Sequence, residues 1–189
     1  MTSFKPWLLL PVSLAHPLGN IYIKLYGKVK SPKIKEWRPL SWKNLVFPNR
    51  LGIAGGVDKS GDNVRGWWAY GSGFLEVGTV TPLPQNPNPG KTLERDTKNL
   101  AVWNRLGFPS LGMEHTFEVL AKLKKPWPTP VLINVGKNRT TANDEAHNDY
   151  LAVMNRLNSL ADIFVINISS PNTVGLRDLQ SANSLRQLL

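Results

Sequence analysis

Ile163-Phe164-Val165-Ile166-Asn167-Ile168-Ser169-Ser170-Pro171-Asn172-Thr173 opens as a short apolar run and turns without a break into a polar loop. A run of that length, rich in β-branched residues, reads as a buried strand, Ile163–Ile166. Three earlier segments share the design. Leu51-Gly52-Ile53-Ala54 leads into Gly55-Gly56-Val57-Asp58-Lys59, Phe74-Leu75-Glu76-Val77 into Gly78-Thr79-Val80-Thr81, and Val131-Leu132-Ile133-Asn134 into a segment with Gly136-Lys137-Asn138. Helical spacing lies between and after these runs, over 62–70, 111–124, 146–160 and 181–189. In 111–124 it aligns Leu111, Phe117, Leu120 and Leu123; in 146–160 it aligns Tyr150, Leu151, Met154, Leu157 and Leu160. Strand and helix in alternation predict an α/β fold with a parallel sheet and crossover helices. Four βα units amount to the first half of a (β/α)8 barrel, an architecture of about 250 residues. The connection over 78–110 is too long for a plain loop, which predicts a functional excursion with small elements of its own.

The 189 residues are 41% hydrophobic and 19% charged, a globular composition of single-domain size. No cysteine is present, which excludes a disulfide framework, a thiolate metal site and a cysteine nucleophile. The three histidines, His16, His115 and His147, are too scattered for a His-rich metal site. The net charge of +10 is uneven: residues 1–50 hold nine basic side chains against Glu36 alone, whereas residues 51–189 contribute only +2. The basic character therefore belongs to an N-terminal module, and nucleic acid is not an expected partner.

That module, 1–44, carries two short apolar pieces, 7–15 and 18–29, neither near the roughly 20 residues of a membrane-spanning helix. Leu18, Ile21, Tyr22, Leu25, Tyr26 and Val29 fall at helical spacing with Lys24 and Lys28 off the stripe. A basic amphipathic helix suits an anionic membrane surface; packing against its own domain explains the same pattern. Lys5, the apolar run and Ser13-Leu14-Ala15 also resemble a signal peptide, though Pro11 interrupts the run.

Among candidate site residues, Asn104, Asn134, Asn138, Asn167 and Asn172 all fall at or beside predicted strand ends or in the excursion. Amides offer a donor and an acceptor together, which suits a flat heterocycle edged with C=O and N–H groups. Loops and caps also use asparagine for their own hydrogen bonds. Lys59, after the Gly55-Gly56 pair, is either a cation for an anionic ligand or a solvated loop lysine. Ser170 has no histidine nearby in sequence, which makes it a poor hydrolytic nucleophile. It would serve as a base only if its own proton were relayed away.

Five segments in order, L-G-I-A-G-G-V-D-K at 51–59, E-V-G-T-V-T-P at 76–82, N-R-L-G-F at 104–108, I-N-V-G-K-N at 133–138 and N-I-S-S-P-N-T at 167–173, closely resemble the dihydroorotate dehydrogenases. Serine rather than cysteine at position 170 resembles the class 2, quinone-linked enzymes, as does the basic N-terminal module. The resemblance implies that Ser170 takes the C5 proton of dihydroorotate while hydride passes from C6 to N5 of FMN. It implies that Asn104, Asn167 and Asn172 hold the pyrimidine, with Arg105, Leu106, Gly107 and Phe108 in the wall of its cavity. Lys59 would stand between substrate and flavin, and Gly55, Gly56, Thr79, Asn134 and Asn167 would line the FMN.

The implied product is orotate, on the route to UMP. Electrons would leave to a membrane quinone through a peripheral membrane protein, on the cytoplasmic face of a bacterial inner membrane or on the mitochondrial inner membrane. The bacterial setting is favoured because no Arg- and Ser-rich transit segment precedes the amphipathic region. The resemblance spans 45–189 as the N-terminal half of the barrel. It places the FMN phosphate residues beyond Leu189, so the 189 residues alone are expected to be inactive. Another flavin barrel acting on pyrimidines, or an inactive membrane-associated fragment, are the competing expectations.

Overall fold

The computed structural model describes residues 5–188. Met1–Phe4, at the start of the basic module, and Leu189, at the end of the last helical candidate, lie outside the described residues. Among the described residues eight strands, β1 (Leu40–Trp42), β2 (Leu45–Phe47), β3 (Gly52–Asp58), β4 (Phe74–Val80), β5 (Leu93–Asp96), β6 (Ala101–Asn104), β7 (Val131–Val135) and β8 (Ile163–Ile166), are set among five α-helices. The helices are α1 (Val12–Val29), α2 (Val64–Ala69), α3 (Met113–Ala121), α4 (Ala146–Leu157) and α5 (Ala182–Leu188).

Strands β3, β4, β7 and β8 form one sheet in that order, every pair parallel. This is the α/β arrangement that the four apolar runs require, and each run falls in its own strand except for Leu51, which precedes β3 and is exposed. Aliphatic side chains recur along β4 and β7 because both faces of these central strands are covered. Val77, Val80, Val131, Ile133 and Val135 are completely buried in one core with Val64 and Trp68 of α2, Leu120 of α3, and Val153 and Leu157 of α4. The Trp68 indole N–H is satisfied by Thr129 Oγ1 at 2.9 Å.

Two helical faces differ from expectation. In α4 the buried positions are Ala146, Tyr150, Val153 and Leu157, whereas Leu151 is exposed. Leu111 precedes α3 and is also exposed, because Gly112, at φ 86, turns the chain into the helix only afterwards.

The excursion over 78–110 holds a small antiparallel hairpin, β5 with β6. A second hairpin, β1 with β2, follows the basic module; the proline-punctuated sequence gave no periodic signal for its three-residue strands.

The two N-terminal apolar pieces are not separate helices. A short 3-10 turn, Pro6–Leu9, precedes Pro11, and α1 then runs through Pro17 to Val29. It docks on α2 by close backbone approach: a Cβ on Gly66 would lie 2.2 Å from the Ile23 carbonyl oxygen, and one on Gly27 would lie 2.4 Å from Gly66 N. Asn63 Nδ2 donates to Asn20 Oδ1 at 3.1 Å, and Lys24 pairs with Asp62 at 2.9 Å. The docked face thus uses Asn20, Ile23 and Gly27, and beside them Tyr22 and Tyr26, whose ring centroids lie 6.4 and 4.5 Å from that of Tyr70. The apolar stripe at Leu14, Leu18, Ile21, Leu25 and Val29 points away from it and is exposed. No helix among the described residues is long and apolar enough to cross a membrane.

A candidate active site at the carboxyl ends of the strands

Strands β3 and β4 both lose their register near their carboxyl ends. Ile53 pairs with Leu75, but the next β3 partner of β4 is Asp58 opposite Val77, so Ala54–Val57 bulge out of the ladder. On β4 the pairing with β7 jumps from Val77 to Val80, which frees Gly78 and Thr79. Bulges re-aim side chains, and these two open a cavity of about 1910 Å³ above the sheet. Gly55 is required at close quarters: a Cβ there would lie 2.6 Å from Glu76 Oε1 and 3.0 Å from Asn134 Nδ2. Gly56, at φ 88, has nothing within 4 Å of its Cβ position and faces open cavity.

A hydrogen-bonded knot of side chains fills the floor. Thr79 Oγ1 donates to Asn134 Oδ1 at 2.7 Å, and Asn167 Nδ2 donates to both Thr79 Oγ1 and Asn134 Oδ1 at 3.1 Å. Asn134 Nδ2 in turn donates to Glu76 Oε1 at 2.5 Å, and Asn167 Oδ1 accepts from the Ser169 amide and hydroxyl. The amides of Asn134 and Asn167 are thereby each held in one orientation by partners drawn from β4, β7 and the loop after β8. Tyr150 of α4 fixes the backbone, donating to the Asn167 carbonyl at 3.0 Å; burial pushes its phenol up to about 12.

The loop after β8 forms the opposite wall. Ser170 Oγ accepts from Asn172 N at 3.2 Å, Asn172 Nδ2 reaches Asn104 Oδ1 at 3.3 Å, and Asn88 Nδ2 holds the Asn172 carbonyl at 2.9 Å. Gly175, at φ 70, turns the chain so that Arg177 can clamp the Ser169 carbonyl at 2.9 Å. No histidine is hydrogen-bonded to Ser170 among the described residues, so the serine is not arranged for hydrolysis.

Lys59 is half-buried in the cavity wall, and none of the ion pairs among the described residues involves it. Burial lowers its pKa, with the Asp58 carboxylate opposing. Asp58 is buried and its own pKa is pushed up to about 6 by desolvation, although the Asn63 and Gly61 amides donate to it. An ammonium held this way favours an anionic ligand. His16 of α1 lines the same cavity, and burial together with Lys59 lowers its pKa.

Of the residues singled out from sequence, Gly55, Gly56, Lys59, Thr79, Asn104, Leu106, Gly107, Phe108, Asn134, Asn167, Ser170 and Asn172 all line this one cavity. Two candidates do not. Arg105 turns its guanidinium outward to the Pro89 carbonyl, because its strand neighbour Asn104 takes the inward position. Asn138 ties the excursion down instead, bonding Leu83 through both its amide groups and Gln85 through Nδ2. Glu76 was not singled out as a site residue, although a carboxylate inside an otherwise apolar strand demands a buried partner and so carried a signal. Among the described residues no cluster of acidic or histidine side chains could hold a metal ion.

A sequence profile described as "Dihydroorotate dehydrogenase" matches residues 40–189. A protein named dihydroorotate dehydrogenase (quinone) from Dichelobacter nodosus is 42% identical over 176 residues, 93% of this chain and 52% of its own length. A protein of the same name from Stenotrophomonas maltophilia is 38% identical, over 98% of this chain and 54% of its own length. The ligand-free crystal structure of DHODH from Eimeria tenella superposes with a TM-score of 0.81 at 34% identity, over 93% of this chain and 50% of that one. The fold and the strand-end cavity define an α/β protein with a site at the carboxyl ends of its parallel strands. The chain belongs to the dihydroorotate dehydrogenase family. It spans about half the length of the curated relatives it matches.

Proposed function

We propose that this chain supplies the substrate-side half of a quinone-linked dihydroorotate dehydrogenase, oxidising dihydroorotate to orotate in pyrimidine biosynthesis. The observation that carries the reading is the convergence of Asn104, Asn167, Asn172, Ser170 and Lys59 on one cavity. In this reading residues 1–44 are the membrane- and quinone-side extension. Residues 45–189 form the first four units of a (β/α)8 barrel, and the full-length protein is needed for activity.

The residues fit the ring of FMN. Gly55 and Gly56 leave bare backbone beside Asn134, and Thr79, Asn134 and Asn167 offer a preoriented donor and acceptor edge. FMN, when bound, supplies the hydride acceptor and the route of electrons onward to quinone. Asn104, Asn167 and Asn172 bind and orient the pyrimidine, with Leu106, Gly107 and Phe108 closing its apolar side. Lys59 sets its charge against the anionic part of the bound ligands. Ser170 Oγ takes the C5 proton while its own proton passes to water, since a serine alkoxide is not a stable species at neutral pH.

The exposed stripe of α1 and the +8 charge of residues 1–50 support peripheral attachment to an anionic membrane. In this reading the protein sits on the cytoplasmic face of a bacterial inner membrane, the place where a basic amphipathic surface meets anionic lipid.

The test is anaerobic mixing of the full-length protein with dihydroorotate while the flavin absorbance is followed. Bleaching is expected, and Ser170→Ala should slow it by about a hundredfold or more while the flavin stays bound. A wild-type protein that binds flavin but is not bleached contradicts the assigned substrate. A variant that bleaches at the wild-type rate contradicts the assigned base.

A further inference from the structure

The β5–β6 hairpin carries exposed apolar side chains, among them Leu100 outside the site cavity and Val102 at its rim. Leu100 is 85% exposed and Val102 is 64% exposed. The turn between the strands is built by Asp96, whose carboxylate accepts from the backbone amides of Lys98 and Asn99 and from Asn99 Nδ2. This turn places Leu100 at φ 51, a left-handed position where glycine or asparagine would be relaxed, and still presents a leucine to the outside. Lys98 beside it forms no ion pair among the described residues.

The tip is continuous with the N-terminal segment. Arg95, the cross-strand partner of Val102, donates through Nη1 to the Trp7 carbonyl at 3.1 Å. A groove of about 330 Å³ separates Leu8 and Leu10 on one bank from Leu93 and Thr97 on the other. Trp7, Leu9 and Leu10 are exposed on the near bank, so one apolar band runs from the outer stripe of α1 across the 3-10 turn to the hairpin. The large cavity is lined by α1, by Leu10 and by Val102, which puts both ends of this band at its mouth.

We propose that the β5–β6 hairpin is a second membrane foot, in which Leu100 and Val102 enter the headgroup–acyl boundary of an anionic phospholipid surface beside the N-terminal segment. The proposal rests on the membrane reading of α1 given above and extends it to an element 70 residues and more along the chain. Two features favour lipid over a protein partner. The apolar side chains are few and sit on a narrow turn rather than a broad complementary face. Lys98 on the turn and Lys5 at the start of the adjoining bank form no ion pair among the described residues, whereas Lys91 is balanced by Glu94 and the Asp96 carboxylate is taken up by the turn's own amides. Two feet, one on each side of the mouth, would open the cavity toward the acyl phase from which a lipid-soluble electron acceptor arrives.

The cysteine-free sequence allows a direct test. Leu18→Cys on α1, Leu100→Cys on the hairpin and Lys124→Cys at the far end of the sheet are each labelled with an environment-sensitive nitrobenzoxadiazole dye. Vesicles of phosphatidylcholine with about one-third phosphatidylglycerol are then added. Blue-shifted, enhanced emission at both 18 and 100 but not at 124 is expected. A response at 18 with none at 100 overturns the second foot and leaves the α1 reading standing. No response at either overturns both. A response at 100 that rises with protein concentration in the absence of vesicles assigns the tip to a second copy of this chain and overturns the proposal. As an independent measure, Leu100→Asp with Val102→Asp should weaken vesicle partitioning by about tenfold at unchanged circular dichroism; unchanged partitioning overturns it.

Discussion

The sheet and the N-terminal helix are held by different physics. Strands β4 and β7 are buried on both faces, and five of their aliphatic side chains are wholly removed from water. Helix α1, the longest helix among the described residues, meets α2 and the following Tyr70 through two glycines, an Asn20–Asn63 bond, an exposed ion pair and ring contacts of Tyr22 and Tyr26, with Leu14, Leu18, Ile21, Leu25 and Val29 outside. The first arrangement resists deformation, which a site set by hydrogen bonds near 3 Å demands. The second leaves the outer stripe of α1 in water, so that this face can trade water for lipid without disturbing the strand ends.

The sharpest break in this comparison is expected from the core. Ile133→Ala should lower the unfolding free energy by about 2–5 kcal/mol, read as a drop in the urea midpoint of the whole chain. If only the signal of α1 moved, the two regions would not differ as described. Next comes pH. Asp58 sits at the end of β3, where the sheet meets the α1 contact, and burial raises its pKa from 3.8 to about 6. The folded state therefore holds the proton more tightly than the unfolded state. The associated stability is fully present below pH 4 and is lost as pH rises through about 6, some two pKa units or about 3 kcal/mol. The stability of Asp58→Asn relative to wild type should accordingly improve between pH 4 and pH 7; a constant difference would contradict the assigned burial.

A smaller effect, and a local one, is expected from Gly66→Val. Its branched side chain collides with the Ile23 carbonyl and should cost about 1–3 kcal/mol. Proteolysis between residues 28 and 35 should accelerate while the main urea transition stays in place. Lys24→Ala removes an ion pair whose lysine is half-exposed, and the change in stability should stay within about 0.5 kcal/mol.

The strands were legible because central parallel strands must be apolar throughout, and the site was legible because its amides and Ser170 follow those strands directly. The polar β5 strand, Leu-Glu-Arg-Asp, carries no such signal, since it pairs in a hairpin that is largely exposed. Helix α1 divides its stripe between the two expectations. Tyr22 and Tyr26 pack on Tyr70 while Leu18, Ile21, Leu25 and Val29 stay exposed, and the close contact at Gly27 and Asn20 leaves no mark in apolar periodicity. Arg105 and Asn138 show the same limit at the site. Both lie in segments of family type, yet strand alternation turns one outward and the loop after β7 spends the other on anchoring the excursion.

The most direct test of the central contrast is amide hydrogen exchange of the 189-residue chain with and without anionic vesicles. Amides of β4 and β7 should exchange only at the rate of global unfolding in both conditions. Amides of α1 should exchange far faster in solution and slow by tenfold or more when vesicles are added. Equal protection of α1 and β7 in solution, with no change on adding vesicles, would contradict the account.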